Sequence, residues 1–334
     1  MNLLTKSLVS AALVVLLSFP SLADNKEEEG EKLVRHAEQI SDIRSADAPG
    51  FRLTASFKLV GADAPTTEGK YSEIWLSAEK WQRETMIGNF QRLEVGAGKT
   101  RWVLDSTQEI PGRAGELATL MHVGGVVQGS IKASAIRGQT IETVPARCID
   151  LKGGGMGKQT LCVDSATGVL LRKNTPTLWM NRRSEYLCEY GEYQPFGDRL
   201  YPHHIRCTDD RHTGIDVKVV ELATGASADP SLFIPPSGAE ELANCSGKVL
   251  PPKPLQTPDP QYPKGEPQPN NPVVVRIAVG TDGMPHRLRI ARTAGNAFDN
   301  RALEAVQRWV FKPAMCDGEA VPVEINVEIT FRSR

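Results

Sequence analysis

The stretch VPVEINVEITF at residues 321–331 alternates apolar and polar side chains over its whole length. Successive side chains of a β-strand point to opposite faces, so this pattern predicts a strand with one buried face. It is the longest such alternation in the chain. Its apolar members are Val321, Val323, Ile325, Val327, Ile329 and Phe331.

The residues upstream complete a small unit. Residues 273–279 alternate in the same way, Asp282-Gly283 supplies a turn, and residues 287–291 form the returning strand of a hairpin. A helix follows, with Asp299 as its predicted cap. Pro313 is expected to end this helix, whose apolar face is predicted to comprise Ala302, Leu303, Val306, Trp309 and Val310. The order strand, strand, helix, strand predicts an α+β unit in which one helix covers one face of a sheet.

This unit resembles the C-terminal domain of TonB-family proteins. The resemblance spans about residues 254–334 and follows that family's pattern of YP before the first strand, DG in the hairpin, and D-x-x-A-L-x-A-V-x-x-W-x-F-x-P-A along the helix. The matching positions include Tyr262, Pro263, Asp282, Gly283, Asp299, Ala302, Trp309, Phe311 and Pro313.

The resemblance implies a periplasmic domain that contacts outer-membrane receptors and, in some members, peptidoglycan. It also implies that the last strand accepts an extended peptide by strand addition, which makes residues 321–331 the expected partner-binding site. Two arrangements remain open, a free edge and a strand paired on both sides. Glu324, Glu328 and Arg332 on the polar face are expected to discourage unspecific pairing.

Before this unit, proline-rich residues 241–272 predict an extended linker, with a ligand for an aromatic-lined groove as the alternative. Residues 273–334 then form the C-terminal domain and residues 24–240 a larger one. The larger domain opens with an amphipathic helix over residues 24–46, and a further helix is expected within residues 111–127. Many short runs of period two follow the first helix and predict a curved antiparallel sheet of half-barrel shape. Those runs are residues 51–59, 71–77, 80–87, 89–95, 100–105, 139–144, 147–151, 159–164, 169–173, 184–193, 199–208 and 215–222.

The larger domain resembles carriers of the LolA/LolB type through its opening helix, residues 51–59, residues 69–76, Arg83-Glu84 and residues 102–105. In that group an open half-barrel holds acyl chains, which implies a cavity for a lipid or another hydrophobic molecule. The alternative is that the aromatic side chains are ordinary core. The candidate lining residues are Trp75, Trp81, Phe90 and Trp102.

The N-terminus predicts export. Lys6 precedes an apolar run at residues 8–17, and small Ser21 and Ala23 fit a cleavage site, so residues 1–23 are expected to be a signal peptide. A periplasmic protein would result. The alternative is an uncleaved anchor in the inner membrane, although Pro20 interrupts the apolar run early.

The six cysteines are an even number, as expected for disulfides in an exported chain. Neighbouring strand-like runs suggest that Cys148 pairs with Cys162 and Cys188 with Cys207, which leaves Cys245 for Cys316. Other connectivities remain open. The chain has no CxxC or HExxH spacing, so we predict no metal site.

Composition and motifs argue against other classes of function. The 39 basic and 40 acidic residues give a net charge of −1, so no nucleic acid is expected as a partner. The glycines at 153–157 lack the remaining residues of a P-loop, since Lys152 and Gln159 occupy the positions that require glycine and serine or threonine. There is no nucleophile-elbow motif. We therefore predict no enzyme and no cofactor.

These observations predict a periplasmic interaction protein of the TonB family that contacts an outer-membrane receptor or envelope protein through its last strand. Peptidoglycan and lipid are further candidate partners. The alternative function is a periplasmic carrier that holds a lipid or another hydrophobic molecule in the N-terminal domain.

Overall fold

The computed structural model describes residues 22–61, 67–107, 110–111, 113–125, 131–153, 158–179, 182–210, 212–225, 229–245, 249–269 and 271–332. The predicted signal peptide lies outside the described residues up to residue 21, as do residues 154–157 of the glycine-rich turn. Within the described residues, no helix is both long and apolar enough to cross a membrane.

A large antiparallel sheet forms the N-terminal domain after helix α1 (Leu22–Ser41). Its 13 strands follow the order β13-β5-β4-β3-β2-β1-β12-β11-β10-β9-β8-β7-β6, so β13 and β6 are its edges. The strands are β1 (Phe51–Val60), β2 (Glu68–Ser77), β3 (Lys80–Ile87), β4 (Phe90–Ala97), β5 (Thr100–Asp105), β6 (Ile131–Ile141), β7 (Val144–Gly153), β8 (Gln159–Asp164), β9 (Leu170–Trp179), β10 (Arg182–Phe196), β11 (Arg199–Asp209), β12 (Gly214–Thr224) and β13 (Glu240–Ala243).

One face of this sheet, here called the inner face, is covered by α1. Along β1 the inner-face residues Phe51, Leu53, Ala55, Phe57 and Leu59 are all buried, in the alternation that the sequence predicted. They share one apolar core with Val34 and Ala37 of α1. The curved, open antiparallel sheet expected from the sequence is therefore confirmed.

A second element also lies on the inner face. Residues 113–125, here called the cover segment, contain two 3₁₀ turns and the four-residue helix α2 (Leu117–Leu120). Leu117 and Met121 are fully buried in the same core as α1. The helix predicted within residues 111–127 is thus reduced to this short turn.

The C-terminal domain is a separate three-stranded sheet of order β17-β16-β21, with helix α3 (Asn296–Val306) against it. The predicted α+β architecture with one helix on one sheet face is confirmed. The remaining strands are β14 (Val249–Leu250), β15 (Lys253–Gln256), β16 (Val273–Val279), β17 (Pro285–Arg292), β18 (Val310–Lys312), β19 (Ala314–Cys316), β20 (Glu319–Val321) and β21 (Val323–Ile329).

Several predicted boundaries are wrong. Helix α3 ends at Val306, because the β-branched Val310 and its neighbours pair with β15 as strand β18. The closing strand divides at Pro322, which has no backbone N–H to donate to a ladder. The predicted strand over residues 139–144 spans a hairpin turn at Glu142, whose φ is +54°.

The proline-rich segment pairs with both domains. Strand β13 adds to β5 of the large sheet, whereas β14 pairs with β19 and β15 pairs with β18 of the C-terminal unit. These short ladders attach parts of the segment at residues 241–256 to the two bodies that it connects.

Candidate functional site

Strand β21, predicted as the partner-binding strand, lies at one edge of the C-terminal sheet. It pairs with β16 on one side in an antiparallel register that runs from Val273 opposite Ile329 to Val279 opposite Val323. The other side of β21 is the outer edge of the three-stranded sheet. The sequence left open whether this strand has a free edge or is paired on both sides. In the structure β21 is an edge strand of the three-stranded sheet.

The two ends of this outer edge are occupied. The backbone N–H of Ala243, at the end of β13, donates to the carbonyl of Pro322 at 2.9 Å. At the other end, Nε2 of Gln268 donates to the carbonyl of Phe331 at 2.6 Å. Within the described part of the chain, no other segment makes a backbone hydrogen bond to this edge between residues 323 and 330. A stretch about the length of β21 is therefore available for strand addition.

Four of the apolar side chains predicted as the site pack in the core against α3, whereas Val323 is partly buried opposite Val279 and outside that core. Ile329 and Phe331 are buried, and Ile325 and Val327 pack partly buried against the same core, while Val321 belongs to β20. Ile325 and Val327 are therefore partly exposed apolar side chains next to the outer backbone edge of β21. The opposite face of β21 carries Glu324, Asn326 and Glu328.

Residues that carry the TonB-type sequence pattern pack around this edge. Tyr262, Phe298 and Phe331 form a cluster of edge-to-face rings with centroids 5.0–6.3 Å apart. Ala302, a residue of α3, is fully buried. Nε1 of Trp309 donates a hydrogen bond to the carbonyl of Pro258. Pro263 lies buried next to Tyr262. The cluster fixes the C-terminal end of the candidate strand.

Asp282 and Gly283 form the turn between β16 and β17. Gly283 has a φ of +75°, and a Cβ there would lie 2.2 Å from the carbonyl oxygen of Phe311. That close approach accompanies a hydrogen bond from the N–H of Phe311 to the carbonyl of Gly283, at 2.9 Å. Glycine is required here for both reasons. Pro313 also contacts this turn.

Asp299 does not cap α3 as predicted. It lies within the first turn, and Gly295 occupies the cap position. Its carboxylate accepts hydrogen bonds from the Thr293 hydroxyl at 2.5 Å and from the N–H of Ala294 at 3.0 Å. It therefore fastens the loop that enters the helix.

The predicted role of Glu324 as an exposed guard of the edge is wrong. Its side chain is 14% exposed and its Oε2 lies 2.5 Å from Nη2 of Arg92, a residue of β4 in the N-terminal domain. The same oxygen is 3.7 Å from Nη1 of Arg276. Glu328 and Arg332 are exposed as predicted. No sequence pattern indicated a partner 232 positions away in the chain.

Two carboxylates near this contact have pKa shifts of opposite direction. Burial alone would raise the pKa of Glu94, but Arg83, Arg92 and Arg101 outweigh it and hold that pKa well below its usual range. Burial raises the pKa of Asp105, and Arg92 and Arg289 do not compensate fully. Oδ1 of Asp105 has no hydrogen-bond partner among the described residues, which agrees with this direction.

The aromatic residues predicted to line a cavity do not share one face. Trp75, Trp81 and Phe90 are buried in the inner-face core, and Trp75 stacks on Phe51 with 5.7 Å between ring centroids. Trp102 is next to the inner-face residue Val103 in the strand and therefore lies on the outer face. Its cross-strand neighbour on β4 is Val95, which lies on the same outer face. Three of the four therefore contribute to the packed interior.

The inner face also holds a buried polar group. Arg44 donates to Glu73 and to the carbonyl of Met121, and the Tyr201 hydroxyl donates to the same carbonyl at 2.6 Å. Burial opposes ionisation of Glu73, but Arg44 lowers its pKa overall. These bonds hold one end of the cover segment.

All three predicted cysteine pairs are joined in the structure. Cys148–Cys162 and Cys188–Cys207 each link residues directly opposite on neighbouring strands of the large sheet. Cys245–Cys316 links the segment after β13 to the end of β19. The part of the chain that the structure describes contains no group of three or more side chains suited to hold a metal ion.

Comparison with known proteins gives a family match for the C-terminal part of the chain. Residues 258–333 match the family described as the Gram-negative bacterial TonB protein C-terminal. No curated protein matches the chain significantly.

Solved structures similar to the chain include a LolA superfamily protein from Nitrosomonas europaea, with 13% identity and a TM-score of 0.41, covering 61% of this chain and 97% of that one. A DUF1329 family protein from Desulfovibrio piger is 9% identical with a TM-score of 0.44, covering 63% of this chain and 97% of that one. The TonB-type resemblance that the sequence indicated for the C-terminal unit is confirmed by the family match over residues 258–333.

Proposed function

We propose that this is an exported protein of the Gram-negative cell envelope whose C-terminal domain binds an extended segment of an outer-membrane receptor or envelope protein. The family match over residues 258–333 supports the envelope location. Three disulfides fit an oxidising compartment such as the periplasm.

The observation that carries the proposal is the outer edge of β21. Its backbone lies at the rim of the sheet, and among the described residues the hydrogen bonds made to it from neighbouring segments are at the two ends, at Pro322 and Phe331. An incoming strand gains main-chain hydrogen bonds along such an edge, while alternate side chains provide specificity. Here the apolar alternate positions are Ile325 and Val327, which are partly exposed beside the edge.

A photo-crosslinking amino acid at Glu328 in the full-length protein tests this proposal in cells. Glu328 is exposed on β21, and Lys253, exposed on β15 in the same unit, is the matched control. The expected product links the Glu328 position, but not the Lys253 position, to an outer-membrane receptor or envelope protein.

A peptide copied from the crosslinked segment should then slow amide hydrogen exchange in residues 323–330 of the purified protein. Equal crosslinking from both positions, or a peptide that protects a different surface, would contradict strand addition at β21.

A further inference from the structure

Part of the second face of the C-terminal sheet, at Ala278 and Glu324, docks on the N-terminal domain, whereas Asn326 and Glu328 on the same face are exposed. All seven residues of β16 are buried, although only Val273, Val275, Ile277 and Val279 face α3. Ala278, on the other face, packs with Val103 of β5 and Leu242 of β13 in a small apolar cluster of its own. This contact lies on the inner face of the large sheet, at the end that α1 leaves uncovered.

Charged side chains surround that small cluster. Arg92 is 5% exposed and lies 3.5 Å from Asp105 and 3.8 Å from Glu94 within its own domain. It also reaches across to Glu324. From the C-terminal side, Nε of Arg289 lies 3.5 Å from Asp105. Ion pairs, rather than a wide apolar surface, thus provide much of this contact.

The charged groups are incompletely paired. Nη1 of Arg92 and Oδ1 of Asp105 have no hydrogen-bond partner among the described residues. Taking charges out of water costs several kcal/mol per ion, and close pairing roughly offsets this only when geometry is good. Because the opposing terms nearly cancel, the contact has little net stability of its own and depends on its charges remaining matched.

The C-terminal domain also makes hydrogen bonds to Thr107 and Ile110, which precede the cover segment in the chain. The N–H of Ile110 donates to the carbonyl of Ile290 on β17, and Nη1 of Arg289 donates to the carbonyl of Thr107 at 2.9 Å. A Cβ on Gly115 would lie 2.4 Å from the guanidinium of Arg276, so the cover segment passes directly against that group.

The two domains stay linked when the charged contact separates. The disulfide Cys245–Cys316 joins the chain just after β13 to the C-terminal unit. If the Arg92–Glu324 pair separates, the disulfide still joins the two domains on one side of the contact. No covalent bond holds them together at the ion pairs.

We propose that the C-terminal domain is a releasable cap on the inner face, closed by the Arg92–Glu324 and Arg289–Asp105 ion pairs, and that its release separates the cover segment from the cap. In the closed state the cap protects the Ile110 amide and presses on Gly115. In the open state the cover segment loses these contacts and keeps those to Arg44 and Tyr201.

Charge reversal in the full-length protein tests the cap. Arg92→Glu and Glu324→Arg should each speed amide hydrogen exchange at Ile110 and in the cover segment by about tenfold or more. The double variant Arg92→Glu/Glu324→Arg places opposite charges together again at these two positions, but Glu94 and Asp105 remain beside residue 92 and Arg276 beside residue 324. It should therefore restore part of the protection lost in the single variants. Protection of β1 and α3 should be unchanged in all three.

Arg301→Glu is the matched control, because Arg301 pairs with Glu304 on the exposed surface of α3. It should leave exchange at Ile110 unchanged. If either reversed variant does not fold, Glu324→Gln, which keeps the shape and removes the charge, replaces it in the comparison. Unchanged exchange at Ile110 in the single variants, or a double variant no better protected than they are, overturns the proposal.

Discussion

The two faces of the C-terminal sheet are sealed by different physical forces. The face against α3 is a continuous apolar core that includes Val275, Ile277, Phe298 and Phe331. The face against the N-terminal domain has a small apolar centre, at Ala278, inside a set of charged side chains. Burial of apolar area tolerates any matching surface, whereas ion pairs require particular partners at particular positions. The face against α3 therefore provides most of the stability of the C-terminal domain. The charged face determines which surface the domain docks on.

The largest expected effect is on the apolar face. Phe298→Ala should lower the free energy of unfolding by about 3–5 kcal/mol, because a buried ring is lost and a cavity remains. Phe298→Leu, which keeps most of the volume, should cost clearly less. Urea unfolding of the full-length protein measures both, and a loss below about 1 kcal/mol in the alanine variant would contradict the role given to this face.

The charged face should respond less strongly. Arg289→Met removes the pair with Asp105 and the hydrogen bond to Thr107, for an expected loss of about 1.5–3 kcal/mol. Exchange at Ile110 should increase while β16 and α3 retain their protection. Arg301→Met, which removes an exposed pair on α3, should cost no more than about 0.5 kcal/mol. Equal losses in the two variants would remove the distinction between the docked face and the surface.

Glu94 and Asp105 should give opposite pH dependences. The lowered pKa of Glu94 gives stabilisation that is complete above its ordinary range and lost as pH falls toward the folded value. The raised pKa of Asp105 gives the reverse, stabilisation at low pH that is lost as pH rises through the folded value.

Urea unfolding between about pH 3 and pH 7 checks this against Glu94→Gln and Asp105→Asn. The advantage of the natural protein over Glu94→Gln should grow with rising pH, and its advantage over Asp105→Asn should shrink. Slopes of the same sign would show that one of the two environments is misassigned.

The smallest effect on stability is expected at the partner edge. Glu328→Lys changes an exposed side chain and should alter the free energy of unfolding by no more than about 0.5 kcal/mol. The Glu328 side chain lies beside the proposed path of an added strand. The affinity for a peptide copied from the crosslinked partner segment should therefore change in this variant. Isothermal titration measures it, and an unchanged affinity would exclude contact at this position.

The sequence predicted the apolar face better than the charged one. Alternation in β16 and β21 identifies side chains that share a face, because the period of a strand is local. It does not show whether the polar positions meet water or another domain. Arg276 and Glu324 have the pattern of exposed residues, yet Arg276 is buried and Glu324 is largely buried. Glu324 pairs with Arg92, which is far away in the chain.

Local patterns also explain what was missed in the large sheet. Strand β6 contains Ser134, Ala135 and Gly138 and has little apolar alternation, so its assignment depends on pairing with β7. The cross-strand cysteines were predictable because hairpin neighbours are close in sequence. Trp102 was assigned to the wrong face because the sequence does not show which of two alternating sets turns inward.

The bond between Cys245 and Cys316 gives tension a defined route through the molecule. A load applied to β21 would pass along the short strands β20 and β19, and the disulfide would transfer it to Cys245, two positions beyond β13. Force therefore enters the rim of the large sheet through a covalent connection. The ion pairs at Arg92 need not bear it, and the disulfide bypasses the chain between Cys245 and Cys316, including strands β14 and β15 of the proline-rich segment.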